Sequence, residues 1–328
     1  MAQHFLSETT QATLLLCGPL VAAKLKDVQP LSLGEFNELL SALEREASDL
    51  TDLLDTETAE KVLQKLHPQF DTDRLRTLLQ RGFALSLSVE KWTSYGFWVL
   101  SRQDERYPCR LKERLKHLAP ALLYGCGELT LLETGGVAIV GSRDIDEAAI
   151  TFTRELGEAC ARQQLTVVSG GARGVDQYAM LAALEAGGKV AGVMADSLAR
   201  ASTAANARDA IREGRLTLLS PFDPEAGFNV GNAMSRNKLI YALADCGVVV
   251  SSGYNEGGTW SGAIEQIDRL KLVPIFVRDT TGVPEGNGRL LKHGALPFPS
   301  QPWPANLKDE LARLAQNSNN APVQQSLL

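Results

Sequence analysis

Two rhythms of apolar residues divide this chain. As far as about Gly96 they recur at intervals of three and four, the period of a helix with one buried face. Ser32 heads SLGEFNELLSALEREAS and Asp71 heads DTDRLRTLLQRG, each with a side-chain oxygen suited to capping a helix, and Leu75, Leu78 and Leu79 fall on one face of the second segment. From Phe97 onward the rhythm changes to short bursts: FWVLS, ALLYG, VAIVGS, LTVVSG, KVAGVM, RLTLLS, GVVVSS and LVPIFV. Such runs fit strands covered on both faces. Between VAIVGS and LTVVSG, Ala149, Phe152, Leu156 and Cys160 recur at helical spacing behind an acidic start. The alternation predicts an α/β protein with a doubly wound, mostly parallel sheet and a small N-terminal all-helical domain. We expect a helical domain over 1–95, the sheet domain over 96–300, and a last segment, 301–328. That segment holds a short helix, ANLKDELARLAQ, and a polar tail expected to be disordered.

Composition narrows the function classes. With 328 residues and 44% apolar content, the chain can bury a large core and a smaller one. It contains no apolar run of about 18 residues, and MAQHFLSETT lacks the order of a secretory signal, so we expect a cytoplasmic protein with no membrane partner. Cys17, Cys109, Cys126, Cys160 and Cys246 are scattered without CxxC spacing, and His4, His67, His117 and His293 stand beside no recognisable motif. Neither a metal, a cofactor nor a Ser-His-Asp triad is implied. A formal charge of −6 repels polyanions, so nucleic-acid binding would have to rest on a local cluster of cations.

In a parallel sheet of this kind, ligands bind where strands end at their carboxyl edge. After VAIV comes Gly141-Ser142-Arg143, a turn that offers backbone N–H groups and one cation, though a tight turn with a solvated arginine is the plainer reading. After LTVV comes SGGARGVD, with Ser169, Gly170, Gly171, Gly174 and the guanidinium of Arg173. It matches neither GxGxxG nor the P-loop pattern. Asp176, at the following helix start, suits a cap or an arginine partner. NVGNAMSRNKLIYAL brings Arg236, Asn237 and Lys238 to a helix start, where cations oppose the dipole unless an anion joins them. SSGYNEGGTWSGAIEQI sets Gly257, Gly258 and Thr259 ahead of a helix that carries Glu265. Phe222, Phe228, Tyr254 and Trp260 are candidates for stacking bases if exposed, and core residues if not.

Taken in order, YPCRLKERLKHLAPALLYGCGE, AIVGSR, SGGARGVDQYA and SRNKLIYALADCGVVVSS, followed by a Gly/Ser-rich turn into a helix, resemble the DNA-processing protein A (DprA/Smf) family. The chain departs from the family pattern at Met180, where a histidine is usual, and at ADSLA. The resemblance implies an extended Rossmann-like fold that binds single-stranded DNA at the sheet's carboxyl edge, forms a homodimer, and loads a RecA-type recombinase during DNA recombination or natural transformation. Carried over by motif, Arg143, Arg173, Arg236, Asn237 and Lys238 would face phosphates, with Gly141, Ser142, Ser169 and Gly170 offering donors. The N-terminal helices resemble the family's accessory domain.

A competing reading stays open. GGTWSGAIE also resembles the GGxGTxxE segment of lysine-decarboxylase-like (LOG) nucleoside-monophosphate hydrolases. In that reading Gly257, Gly258 and Thr259 hold a phosphate and Glu265 is a catalytic carboxylate, in a nucleotide sensor or N-glycoside hydrolase with a role such as phage defence.

Overall fold

The computed structural model describes residues 6–20 and 28–320. In chain order the helices and strands are α1 (Glu8–Cys17), α2 (Leu33–Arg45), α3 (Thr56–Leu66), α4 (Thr72–Leu79), α5 (Gly82–Ser94), β1 (Trp98–Ser101), α6 (Cys109–Leu115), β2 (Leu122–Cys126), β3 (Val137–Val140), α7 (Glu147–Arg162), β4 (Val167–Ser169) and α8 (Val175–Glu185). They continue with β5 (Val190–Val193), α9 (Leu198–Thr203), α10 (Ala205–Arg212), β6 (Leu216–Ser220), α11 (Val230–Ser235), α12 (Asn237–Leu243), β7 (Cys246–Val249), α13 (Gly257–Ile264), β8 (Ile275–Val277), α14 (Glu285–Lys292), β9 (Leu296–Pro297) and α15 (Leu307–Asn320). Each of the eight apolar bursts is a strand. Gln316–Asn320, expected in the tail, instead close α15; the rest of that tail lies outside the described residues.

Contacts divide the described chain into two units. One runs up to Cys126 and adds Asp196–Thr203 and Leu219–Gly227; the other holds Gly127–Ala195, Ala204–Leu218 and the chain from Phe228 onward. The first unit thus reaches past residue 95 and takes in β1 and β2, which pair antiparallel. Its helices pack Leu16, Phe36, Leu39, Leu63 and Leu78 into one core. Ser32 caps α2 in a reciprocal box with Glu35, and Asp71 caps α4. Arg81 is buried and donates to the carbonyls of Leu14 and Leu15, so one cation closes the C-terminus of α1.

In the second unit the strands run β6-β5-β4-β3-β7-β8-β9. The pairs β4/β5, β3/β4, β3/β7, β7/β8 and β8/β9 are all parallel. The strands from β3 to β8 are buried along their length, which is why they read as unbroken apolar bursts. Asp146 caps α7, and Ala149, Leu156 and Cys160 turn inward while Phe152 stays half-buried. Between β3 and β4 the chain steps one way across the sheet. It returns on the other side of β3 as β7, so the order reverses between β3 and β7.

Candidate nucleic-acid interface

A cavity of about 710 Å³ opens at that reversal, on the carboxyl edge of the second unit's sheet. It is a size typical of ligand sites, at the place where open α/β sheets bind ligands. The turn after β3 supplies Gly141 to Asp144, the β4–α8 turn and the first turn of α8 supply Ala172 and Asp176, the α11–α12 junction brings Arg236 and Asn237, and the turn after β7 brings Gly253 and Glu256 to Thr259. Phe228, Val230 and Met234 form an apolar wall. Four turns distant in sequence therefore meet in one place.

The floor is a buried polar knot. Asp176 is 5% exposed and its carboxylate accepts from the backbone N–H of Gly170 at 3.2 Å and from those of Ala172 and Gly141, lacing two Gly-rich turns together. Arg236, also buried, donates from Nη2 to the Gly170 carbonyl at 3.0 Å and lies 3.8 Å from Asp176. Burial pushes the Asp176 carboxyl above the usual carboxylate range, and the Arg236 charge and the three N–H donors pull it back. Arg236 also reaches Asn237 Oδ1 at 3.3 Å, and Asn237 Nδ2 donates to the Gly258 carbonyl at 2.9 Å, tying α12 to the start of α13. The Ser169 hydroxyl donates to the Ile139 carbonyl at 2.6 Å, while both the N–H and hydroxyl of Ser142 donate to Ser251.

This geometry reassigns several residues. Gly141, Ser142, Ser169 and Gly170, expected to offer donors to a ligand, have them committed within the protein. Arg236, expected to face phosphates, is the floor's internal counter-ion. Arg236 stands at once at the C-cap of α11 and the N-cap of α12, and the anion that a cation at that helix start calls for is Asp176. Lys238 does not line the cavity; it is half-buried beside Arg269, and desolvation lowers its pKa first, with the like charge adding to it. Glu265 also lies outside the lining, held by Arg269 one turn along.

What stays open lies at the rim. The guanidinium of Arg143 sits 4.8 Å over the ring of Phe228, which is 55% exposed. Arg173 is exposed and pairs at 2.7 Å with Asp144, itself a lining residue. Gly257, Gly258 and Thr259 line the cavity at the start of α13, where no side chain caps the helix. Tyr254 is exposed beside the cavity, Trp260 is buried, and Phe222 is half-buried in the first unit. None of the described lining residues is a Cys, His or Lys. The rim thus has the chemistry of a binding surface: a guanidinium, a ring and free amides.

The model of one family, DNA recombination-mediator protein A, matches residues 98–301, more than half the chain. The chain belongs to this family. Among curated relatives of this recombination-mediator family, the DNA processing protein DprA of Streptococcus pneumoniae is 31% identical over 216 residues, 64% of this chain and 72% of the relative. A Mycobacterium tuberculosis protein described as a DNA processing protein DprA is 28% identical over 68% of this chain, and that match spans only 57% of its own length. The solved structure of the S. pneumoniae protein superposes with a TM-score of 0.67 at 21% identity, over 89% of this chain and 95% of that one. The DNA processing protein A of Helicobacter pylori, solved to explain its single-stranded DNA binding mode, gives 0.51 at 24% identity over 67% and 96%. At these identities the superpositions show a shared Rossmann-like fold.

Some of the site was missed in the sequence. Phe228 stands among the aromatic residues singled out as stacking candidates, but Val230 and Met234, which complete the apolar wall, carry no motif. Glu256 was passed over in favour of Glu265, although it immediately precedes the Gly-Gly pair and lines the cavity.

Proposed function

We propose that this member of the recombination-mediator family binds single-stranded DNA at the cavity rim and breaks no bond. Phosphates are held by Arg143, by Arg173 and by the amides at the start of α13, and a base stacks on Phe228. The observation that carries this reading is the convergence of the four motif-bearing turns on one cavity at the sheet's reversal, with Arg143 and Phe228 paired at its mouth. Asp176 and Arg236 serve as scaffold. In this reading the protein works in the cytoplasm as a homodimer, and it hands strands to a RecA-type recombinase in DNA processing, recombination or natural transformation. Among the described residues no helix is long and apolar enough to cross a membrane.

The test is fluorescence anisotropy of a labelled oligothymidylate across a salt series. Arg143→Ala is expected to weaken binding by roughly 1–3 kcal/mol and Phe228→Ala by a similar amount, while Glu265→Gln leaves it unchanged. Absence of binding by the wild-type protein at low salt would remove the proposal.

A further inference from the structure

We propose that Tyr254 and Arg289 form a second nucleotide subsite, which takes the strand after it leaves the cavity. The inference rests on the single-strand reading above. Arg289 holds its guanidinium 4.7 Å over the Tyr254 ring, the same pairing and nearly the same spacing as Arg143 over Phe228. Each pair puts a flat ring beside a fixed cation, the two groups that a nucleotide's base and phosphate need. Both pairs lie next to the cavity-lining turns of adjacent strands. Tyr254 follows the lining residue Gly253 directly, and the open amides of Gly257 to Thr259 begin three residues later.

The platform is built rather than incidental. Asn255 takes a left-handed φ of 55°, turning the chain back at once behind Tyr254. Trp260 packs edge-on against the Tyr254 ring with centroids 5.2 Å apart. α14, which carries Arg289, is locked to the end of β7 by the fully buried Asn287. Its Oδ1 accepts from the Ser252 N–H at 2.9 Å, and its Nδ2 donates to the carbonyls of Val250 at 3.0 Å and Arg278 at 2.9 Å. Gly286 sits so close that a Cβ would meet the Ser252 and Gly253 carbonyls at 2.3 Å. Despite this anchoring, 40% of Tyr254 stays exposed. Arg289 also pairs with Glu285 at 2.8 Å, but both side chains are solvent-exposed, and such a pair yields readily to a phosphate.

The experiment compares two labelled oligothymidylates, of about four and about sixteen nucleotides, lengths that bracket what single-strand grooves hold. Tyr254→Ala and Arg289→Ala are each expected to weaken the long strand on the order of tenfold, leave the short one unchanged, and keep the wild-type melting temperature. Tyr254→Phe retains the ring and wild-type affinity. A 5-bromouracil-substituted long strand is expected to cross-link at Tyr254 on irradiation. If the wild type binds the strand with Arg143-dependent affinity and the Tyr254→Ala and Arg289→Ala variants bind the long one equally well, the subsite is wrong and the single-strand reading stands. Equal losses on both lengths point to a structural role and overturn the subsite too. If the wild type binds neither strand, both readings fall together.

Discussion

A methyl group at position 170 would collide with the floor of the cavity, because a Cβ there would meet Arg236 Nη1 at 1.7 Å. The close approach couples two residues 66 positions apart. Arg236→Ala leaves Asp176 as a buried charge without its partner, and we expect it to cost about 3–5 kcal/mol in urea melts. Gly170→Ala forces the guanidinium aside and is expected to cost about 1–3 kcal/mol alone, but much less when Arg236 is already alanine. Additive costs in that cycle would show that the knot is not the unit described here. In sequence, Arg143, Arg173, Arg236 and Lys238 look alike, each a cation next to a turn. Only the fold separates them, since burial depends on what packs above a residue and not on its neighbours in the chain. Asp176 was better signalled, because a carboxylate at a helix start directly after the Gly-rich turn SGGARG reads as a cap or an arginine partner, and the second is what it is.

At the level of elements, the eight bursts were legible because strands covered on both faces carry few polar positions. β9 was not, being two residues long and ending in Pro297. The start of α12 was legible at Arg236 and Asn237, but α11 just before it was not, being six residues long with no buried face to set a period. Capping was easier to see. Glu35 completes the box with Ser32 and takes a two-pronged contact from Arg74 at 2.5 and 3.3 Å. The hydrogen bonds from Arg74 foremost, then those from Ser32, hold its carboxyl down to about 2. A carboxyl lowered on folding stabilises above its ordinary value near 4.5, and that contribution disappears as the pH falls through about 2. Glu35→Gln keeps the hydrogen-bonding shape and removes the charge. Because the pair is 41% exposed on the glutamate side, we expect a loss of about 1 kcal/mol or less at neutral pH, shrinking to nothing near the bottom of that window. A loss independent of pH would contradict it.

Over the whole molecule, charge opposes the proposed ligand. The chain carries −6, and residues 136–280 hold 14 Lys and Arg against 17 Asp and Glu. With Arg236 and Lys238 removed from the rim, Arg143 and Arg173 remain beside the cavity and Arg289 beside Tyr254. Each phosphate neutralised on a single strand contributes a slope of about −0.7 in log affinity against log salt, so two or three contacts predict a slope between about −1.4 and −2.1. A much steeper dependence would require cations elsewhere on the surface. That β1 and β2 are strands was legible from their apolar bursts; that contacts group them with the N-terminal helices was not, since a burst records burial and not the element that covers it.

α11 buries none of its side chains, although Val230 and Met234 are apolar and line the cavity. A helix of six residues with no fully buried side chain has little to keep its hydrogen bonds closed. Its amides should therefore exchange with deuterium faster than those of the packed helices around the same sheet. A strand seated against Phe228 would cover that apolar wall and slow the exchange. The ligand would thus hold α11 closed, and that stabilisation would be counted in every affinity measured at this site.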